Sequence, residues 1–230
     1  MPLTWVMFNL TGTLVDPAVM AQPLGDSGPD EDMVDLAIDD AIAQAMASTL
    51  TGAHIPLSDL IEAGLRRRLR LAGRDEAPAT AALEMMRAMP AFLETPAALE
   101  TLRGMGLRLA VLAQSSTEAA EAALRFAGLR DRFELVLSAE EAGAYKPDPR
   151  PYRMAVERTG ADPAAGELCH VSTFWWDVAG AKRAGLCTGW VARRERALLS
   201  TVPAPDYTGR DLAEVADAIV AAIPARTSNF

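Results

Sequence analysis

Few residues in this sequence suit disulfide, zinc or membrane-spanning structures. The 230 residues include only two cysteines and two histidines. Two cysteines cannot make a disulfide framework, so we interpret Cys169 and Cys187 as reduced thiols of a cytoplasmic protein, and their spacing from the histidines does not match a zinc site. No apolar run reaches about 18 residues, so no membrane span is expected. The first residues, MPL, lack a basic segment followed by a long apolar one, and no secretory signal is predicted.

Basic residues are missing from the first part of the chain. No lysine or arginine precedes Arg66, whereas residues 1–65 contain ten aspartates and glutamates, and the whole chain has a formal net charge of −9. Nucleic-acid binding needs a basic surface, so nucleic acid is excluded as a partner. The simplest interpretation of the acidic segment is a solvated helix face. Alternatively, the segment repels anionic ligands if it lines a site.

Hydrophobic periodicity and composition divide the chain into four parts. An apolar run at residues 3–8 predicts a buried strand, and Gly12 permits a tight turn after it. Residues 17–29 are rich in proline and glycine and predict a linker, whereas residues 30–94 have mostly helical spacing. Beyond residue 96, helices alternate with strands that are predicted at residues 107–112, 133–138, 168–172 and 188–192. This alternation predicts right-handed crossovers and a parallel sheet.

Two serines are predicted to cap helices. Ser58 precedes a helix that extends to Ala72. Ser115 and Glu118 have the spacing of a capping box, and the helix that they open is predicted to extend through Ala127.

The pattern predicts an α/β fold, a doubly wound parallel sheet with an inserted helical cap. The core domain takes residues 1–16 and 95–230, and the cap takes residues 17–94. In open parallel sheets the ligand site lies at the carboxyl ends of the strands. Because the insert begins just after the first strand ends, we expect the cap to cover that site.

Three separated segments together resemble the haloacid dehalogenase-like hydrolase superfamily. They are FNLTGTL at residues 8–14, YKPDPRPY at residues 145–152 and WDVAGAKRAG at residues 176–185. Within this superfamily the chain is similar to the type II 2-haloacid dehalogenase branch, and the resemblance covers essentially the whole chain, including a helical cap of suitable length.

The resemblance implies a two-step displacement. In this family an aspartate after the first strand attacks the substrate and forms an ester that water cleaves. A lysine steadies that carboxylate, and a second carboxylate follows the fourth strand. The matching positions in this chain are Asn9, Lys146 and Asp177, which are therefore the candidate catalytic residues. The resemblance also implies that these proteins often form homodimers.

The resemblance further marks residues around the substrate, and several depart from the family pattern. The candidate substrate-binding residues are Leu10, Thr11, Ala113, Gln114, Ser115, Phe174 and Trp176. Ala113 and Gln114 stand where the family has a Ser/Thr-Asn pair that holds an anionic group. Phe174 stands where dehalogenases tend to have Asn or His. The arginine that receives the halide in type II enzymes has no local match, because no basic residue precedes Arg66.

Asn9 is the most consequential departure, since an amide oxygen is a far weaker nucleophile than a carboxylate. Losing a nucleophile from a concerted set costs on the order of 10⁶ in kcat. A Mg²⁺ site is disfavoured, because Asp177 is its one clear carboxylate. We therefore expect no cofactor and a metal-free site for a small neutral or weakly polar organic ligand.

Several interpretations of function remain open at this point. The chain is either a family enzyme in which Asn9 is native or replaces an aspartate, or a pseudoenzyme that binds a ligand or a protein. A non-covalent acid–base enzyme, lyase-like or cyclase-like, is a further alternative that would use Lys146 and Asp177. Those two residues would equally form a purely structural buried ion pair. Phe174, Trp175 and Trp176 either form an aromatic wall for the ligand or pack in the core.

Overall fold

A parallel sheet forms the centre of the molecule. The computed structural model describes residues 3–25 and 31–223, and within this part of the chain six strands pair in the order β3-β2-β1-β4-β5-β6, all parallel. The strands are β1 (Trp5–Phe8), β2 (Arg108–Ala113), β3 (Leu135–Ser138), β4 (Leu168–Ser172), β5 (Cys187–Val191) and β6 (Tyr207–Gly209). The prediction of an α/β doubly wound sheet is confirmed.

Helices α4 (Thr95–Gly104), α5 (Thr117–Phe126), α6 (Pro149–Thr159), α7 (Trp175–Arg183) and α8 (Leu212–Ala222) cover the two faces of this sheet. Helices α1 (Glu31–Thr51), α2 (Leu57–Leu71) and α3 (Pro78–Glu84) lie outside these two layers. Side chains alternate along β1, as strand geometry requires. Val6 and Phe8 pack with α4, α5 and α8, whereas Trp5 and Met7 pack with α6 and α7. Burial on both faces explains the continuous apolar run of β1.

The strand order places a crevice beside the end of β1. Strand β1 lies between β2 and β4, and Phe8 pairs with Val111 on one side and Val171 on the other. The direction of chain winding reverses between β1 and β4, and ligands of open α/β sheets bind at this reversal, outside the carboxyl ends of the strands. Asn9, the next residue of the chain, therefore lies at the expected site.

Helices α1, α2 and α3 form the cap and share a hydrophobic cluster that also includes Ala139, Tyr145, Phe174 and Trp176 from the rest of the chain. Gly64 on α2 allows α1 to approach closely, because a Cβ atom there would lie 2.6 Å from the carbonyl oxygen of Ala37. The acidic α1 also pairs with the arginines of α2, since Asp40 accepts hydrogen bonds of 2.7 Å from both Arg67 and Arg68. The domain boundaries at residues 16 and 95 stay predictions.

Three local predictions were wrong. Helix α5 is capped by Ser116, whose Oγ accepts from the amide of Ala119, so the cap is one residue later than predicted. Ser58 lies inside α2, where Pro56 occupies the cap position. The predicted linker contains a 3₁₀ helix, Pro17–Ala21, with Met20 buried, because apolar side chains here reach the cap core.

One expectation falls on residues that the structure does not describe, and one strand was not expected. Residues 26–29 of the predicted linker and the expected start of the first cap helix at residue 30 lie outside the described residues. The three-residue strand β6 was not predicted. Among the described residues, no helix is both long and apolar enough to cross a membrane.

Candidate active site

Asn9 extends strand β1 by one residue and begins a tight turn. Its backbone amide donates to the carbonyl of Val171, which continues the pairing of β1 with β4. The chain then folds back, and Gly12 adopts a φ of +76°, a conformation that favours glycine. The turn brings the Thr13 hydroxyl within 3.1 Å of the Asn9 amide nitrogen.

The Asn9 side chain makes three hydrogen bonds inside the protein, which use both protons of its nitrogen and one lone pair of its oxygen. Its Nδ2 donates to the carbonyl of Thr11 at 2.8 Å and to the Oγ1 of Thr13 at 3.1 Å. Its Oδ1 accepts from Lys146 Nζ at 3.1 Å. A carboxylate in the same orientation would place an acceptor oxygen against the Thr11 carbonyl. The surroundings of residue 9 therefore suit an amide.

Lys146 lies behind Asn9, fully buried. Its ammonium group donates to Asn9 Oδ1, to the carbonyl of Leu112 at 2.9 Å and to Asp177 Oδ2 at 2.8 Å, so all three protons are used. Burial lowers the pKa of Lys146, and the adjacent Asp177 carboxylate offsets part of that effect. Gln114 orients the backbone here, because its side-chain amide donates to the carbonyl of Lys146 and accepts from its N–H.

Asp177 also contacts two further buried polar side chains, Tyr152 and His170. Its Oδ1 accepts from the hydroxyl of Tyr152 at 2.7 Å and lies 2.9 Å from Nε2 of His170, although neither ring nitrogen has an aligned hydrogen bond. Burial alone would raise the pKa of Asp177, but His170 and Lys146 together hold it well below its ordinary value. Asp177 is therefore the anionic partner of a buried cation.

Sequence reasoning did not include His170 or Tyr152 among the site residues. Tyr152 lies within the YKPDPRPY segment, and Gly180 makes room for it, since a Cβ atom at Gly180 would lie 2.6 Å from the tyrosine hydroxyl. His170 interrupts an otherwise apolar strand and is fully buried. A histidine in a buried strand needs a polar partner, so its presence in the sequence could have indicated a nearby acid.

A small cavity of about 30 Å³ separates Asn9 from the cap. It is lined by Asn9, Thr11, Met20, Ile38, Ala41, Ile42, Leu57, Ile61, Met86, Gln114, Ser115, Phe174 and Trp176. A volume of this size holds about two water molecules. The rings of Phe174 and Trp176 stack with centroids 5.1 Å apart and form one wall. None of the described side chains that line the cavity is charged or ionisable near neutral pH.

The structure separates the predicted site residues into three groups. Asn9, Thr11, Gln114, Ser115, Phe174 and Trp176 line the cavity. Lys146 and Asp177 lie behind Asn9 and do not reach it. Leu10 and Ala113 do not line the cavity either; both belong to the hydrophobic core on the α4, α5 and α8 side of the sheet, because the chain turns back after Asn9 and directs Leu10 inward.

The described residues contain no cluster of three or more His, Cys, Asp or Glu side chains arranged to hold a metal ion. Both carboxylate oxygens of Asp177 are occupied by protein donors. The expectation that this chain works without a cofactor stays a prediction.

A family model for haloacid dehalogenase-like hydrolases matches residues 4–185. The chain belongs to this family. It is similar to an (S)-2-haloacid dehalogenase from Pseudomonas sp. (strain YL), with 35% identity over 126 residues, which are 55% of this chain and 53% of that protein. It is also similar to haloacetate dehalogenase H-2 from Moraxella sp. (strain B), with 36% identity over 60% of this chain and 58% of that protein. The chain thus matches little more than half the length of these relatives.

Solved structures agree over nearly the whole chain. The L-2-haloacid dehalogenase RSc1362 has a TM-score of 0.87 and 26% identity, covering 96% of this chain and 100% of that one. An L-2-haloacid dehalogenase from Xanthobacter autotrophicus with covalently bound chloropropionic acid has a TM-score of 0.85 over 96% of this chain and 100% of that one, but its identity of 22% supports the fold alone. The assignment to the superfamily and to its type II 2-haloacid dehalogenase branch is confirmed.

Proposed function

We propose that this chain binds a small, uncharged organic molecule in the cavity between the sheet and the cap, and that it does not form the family's aspartyl ester. The observation that carries the proposal is the composition of the cavity wall. The Asn9 amide lies at the floor and apolar side chains form the roof. Thr11, Gln114 and Ser115 add uncharged polar groups, and no charged group among the described lining residues faces the space.

An anionic ligand finds no cationic side chain among the described residues that line this cavity, only uncharged hydroxyl and amide groups. The relatives are named for 2-haloacids and haloacetate, whose carboxylates are ionised near neutral pH. Moving an ion out of water costs several kcal/mol unless an opposite charge pairs with it, and neutral hydroxyl and amide groups offset only part of that cost. Lys146 does not fill this role, because its protons are all used and Asp177, 2.8 Å away, balances its charge.

The covalent route lacks its nucleophile. Displacement requires an ionised carboxylate with a free lone pair directed at the substrate. Asn9 offers an uncharged amide, and its oxygen already accepts from Lys146. Its nitrogen is held by Thr11 and Thr13. The residue therefore supports ligand contact rather than attack.

Binding has more support than acid–base catalysis. A general acid or base must come within hydrogen-bonding distance of the substrate, directly or through one water. Lys146 and Asp177 are both 0% exposed and are separated from the cavity by Asn9. Of the alternatives open at the sequence level, a ligand-binding pseudoenzyme agrees with this arrangement.

A matched pair of probes tests the charge preference. Isothermal titration calorimetry would compare 2-chloropropionamide with 2-chloropropionate, which differ in charge and little in shape. We expect the neutral amide to bind at least tenfold more tightly. Ala41→Leu, which fills the cavity, should abolish binding, whereas Ala43→Leu on the exposed face of α1 should not. Tighter binding of the carboxylate would overturn the proposal.

A second measurement tests the covalent route. The unaltered protein is incubated with 2-chloropropionate, and released chloride and intact mass are followed. We expect neither chloride nor an adduct. Asn9→Asp is assayed in parallel, and we expect it to remain inactive because the cavity still lacks a cation. Chloride release by the unaltered protein would refute the absence of covalent turnover, and release by the variant would refute the charge argument.

A further inference from the structure

Arg194, which lies outside the cap, forms ion pairs with helix α1 of the cap. Arg194 follows β5 and directs its guanidinium group at α1, where Nη1 and Nη2 contact the two carboxylate oxygens of Asp39 at 2.8 and 2.9 Å. Nη2 also donates to the backbone carbonyl of Asp35 at 3.0 Å, and Nε lies 3.3 Å from the Asp35 carboxylate. The forked contact with Asp39 is the strong, directional form of an arginine ion pair.

The same arginine also touches the wall of the cavity. Its guanidinium carbon lies 5.5 Å from the ring centroid of Phe174, within the range of a cation–π contact. Phe174 in turn stacks on Trp176, and both rings line the cavity. Arg194 therefore connects the cap helix to the aromatic wall through a single side chain that is 21% exposed.

Helix α1 forms the roof of the cavity between two attachments of different kinds. Ile38, Ala41 and Ile42 face the cavity just beyond the Arg194 contacts. At the far end of the helix the hydroxyl of Thr49 accepts a 3.0 Å hydrogen bond from the backbone amide of Tyr145. Residues 39 and 49 lie about 15 Å apart along the helix axis. In addition to its apolar packing with Phe174 and Trp176, the roof helix has an ionic contact in its first half and a neutral hydrogen bond near its end.

Charge in the sequence explains why a core residue supplies the cation. Residues 1–65 contain no lysine or arginine, so α1 has no basic side chain of its own. Its partners must come from elsewhere. Asp40 pairs with arginines of α2 inside the cap, whereas Asp35 and Asp39 pair with Arg194 across the cavity edge.

We propose that Arg194 is a positioning residue that holds α1 closed over the cavity and thereby controls how ligands enter and leave. A cavity of about 30 Å³ admits a molecule of several heavy atoms only if some of its lining moves, and α1 supplies three of the lining residues. The control of ligand entry rests on the proposed function. The closure itself does not, and it can be measured without a ligand.

Tryptophan fluorescence reports the closure. Trp176 is 6% exposed in the cavity wall, and Trp5 and Trp190 are 2% and 4% exposed in the core, whereas Trp175 is 39% exposed. In a Trp175→Phe background, quenching by acrylamide therefore follows access to Trp176. We expect Arg194→Gln to raise the quenching constant at least threefold. Arg130→Gln removes a partly exposed ion pair with Glu121 that lies outside the cap, and it should leave the quenching constant unchanged.

Three further measurements distinguish loss of the ion pair between Arg194 and Asp39, which we call the clasp, from a general loosening of the fold. In the Trp175→Phe background, 1 M NaCl should raise quenching while Arg194 is present and add little after Arg194→Gln, because salt screens exposed charges. Arg194→Lys keeps the charge but loses the fork and should give an intermediate value. Exchange of the two charges, Arg194→Asp with Asp39→Arg, should restore part of the protection. Equal salt effects with and without Arg194 would contradict the clasp.

Ligand kinetics complete the test. Stopped-flow measurements with 2-chloropropionamide should show that Arg194→Gln speeds association and dissociation together, by several-fold each, and changes the affinity less. Unchanged quenching in Arg194→Gln would overturn the clasp even if the amide binds. Raised quenching without any amide binding would support the clasp and refute the proposed function, so the two failures are distinguishable.

Discussion

The side-chain oxygen of Asn9 accepts a 3.1 Å hydrogen bond from the ammonium group of Lys146. The same ammonium contacts Asp177 at 2.8 Å, so one buried cation faces one buried anion and one neutral amide. An aspartate at residue 9 would give two carboxylates to a single lysine. With asparagine, the lysine and Asp177 balance each other without a substrate, which is the electrostatic basis for a site that favours neutral ligands.

Loss of the buried lysine should destabilise the fold strongly. Lys146→Met leaves Asp177 without its cation in a fully buried position, and removal of one partner of such a pair costs about 3–5 kcal/mol. Urea unfolding measures the effect. The chain's other lysine provides a matched control, because Lys182 pairs with Asp206 while 31% exposed. Lys182→Met should cost less than about 1 kcal/mol, and equal losses in the two variants would show that burial of the pair is not decisive.

Asp177 should contribute to acid unfolding. Burial opposes its ionisation, yet His170 and Lys146 keep its pKa well below the ordinary value. Because the folded pKa is depressed, the stabilisation is complete above the unfolded value of about 3.9 and is lost as the pH falls below it. Asp177→Asn should therefore be less stable than the parent at pH 7, and the difference should shrink below pH 4. Urea midpoints between pH 2.5 and 7 test this, and parallel curves would rule it out.

Glu195 should make stability depend on pH in the opposite direction. Burial raises the pKa of this carboxyl to about 7, although its Oε2 accepts from the backbone amide of Trp175. The folded state then binds the proton more tightly than the unfolded state, so stability falls as the pH rises from about 4.3 to 7.

Glu195→Gln removes the titrating group and keeps an acceptor for Trp175. We expect the stability of the variant not to decrease between about pH 4.3 and 7. At pH 8 the variant should be more stable than the parent by about 1 kcal/mol, a figure reduced for the partial exposure of Glu195. Unfolding free energies at pH 5 and pH 8 give the comparison. A variant that is equally stable relative to the parent at both values would exclude Glu195 as the source.

Gly180 should tolerate no side chain. A Cβ atom there would lie 2.6 Å from the Tyr152 hydroxyl, which donates to Asp177, and 2.7 Å from Cβ of Pro147. Overpacking of this kind costs about 1–3 kcal/mol. Gly104 in helix α4 has nothing within 4 Å of the same position. Gly104→Ala should be neutral or stabilising by up to about 1 kcal/mol, and calorimetric melting of both variants tests the contrast.

The order and approximate bounds of the helices and strands could be predicted, because hydrophobic spacing and turn residues act over a few neighbouring positions. The strand at residues 168–172 has the predicted bounds, and the motif residues Asn9, Lys146 and Asp177 meet because parallel strands bring their carboxyl ends to one edge of the sheet. Leu10 shows the limit. Its position next to Asn9 suggested a ligand contact, but the direction of its side chain depends on a turn that only the folded chain defines.

The amino-acid sequence by itself determined the order of the elements, the family, the amide at residue 9 and the lack of basic side chains before Arg66. These properties reside in residue identity and in short-range periodicity. The tertiary structure alone decided that His170 faces Asp177, that Arg194 pairs with Asp39 although 155 positions separate them, and that the described residues lining the cavity are uncharged. Such contacts depend on how distant layers pack against each other, which no local pattern encodes.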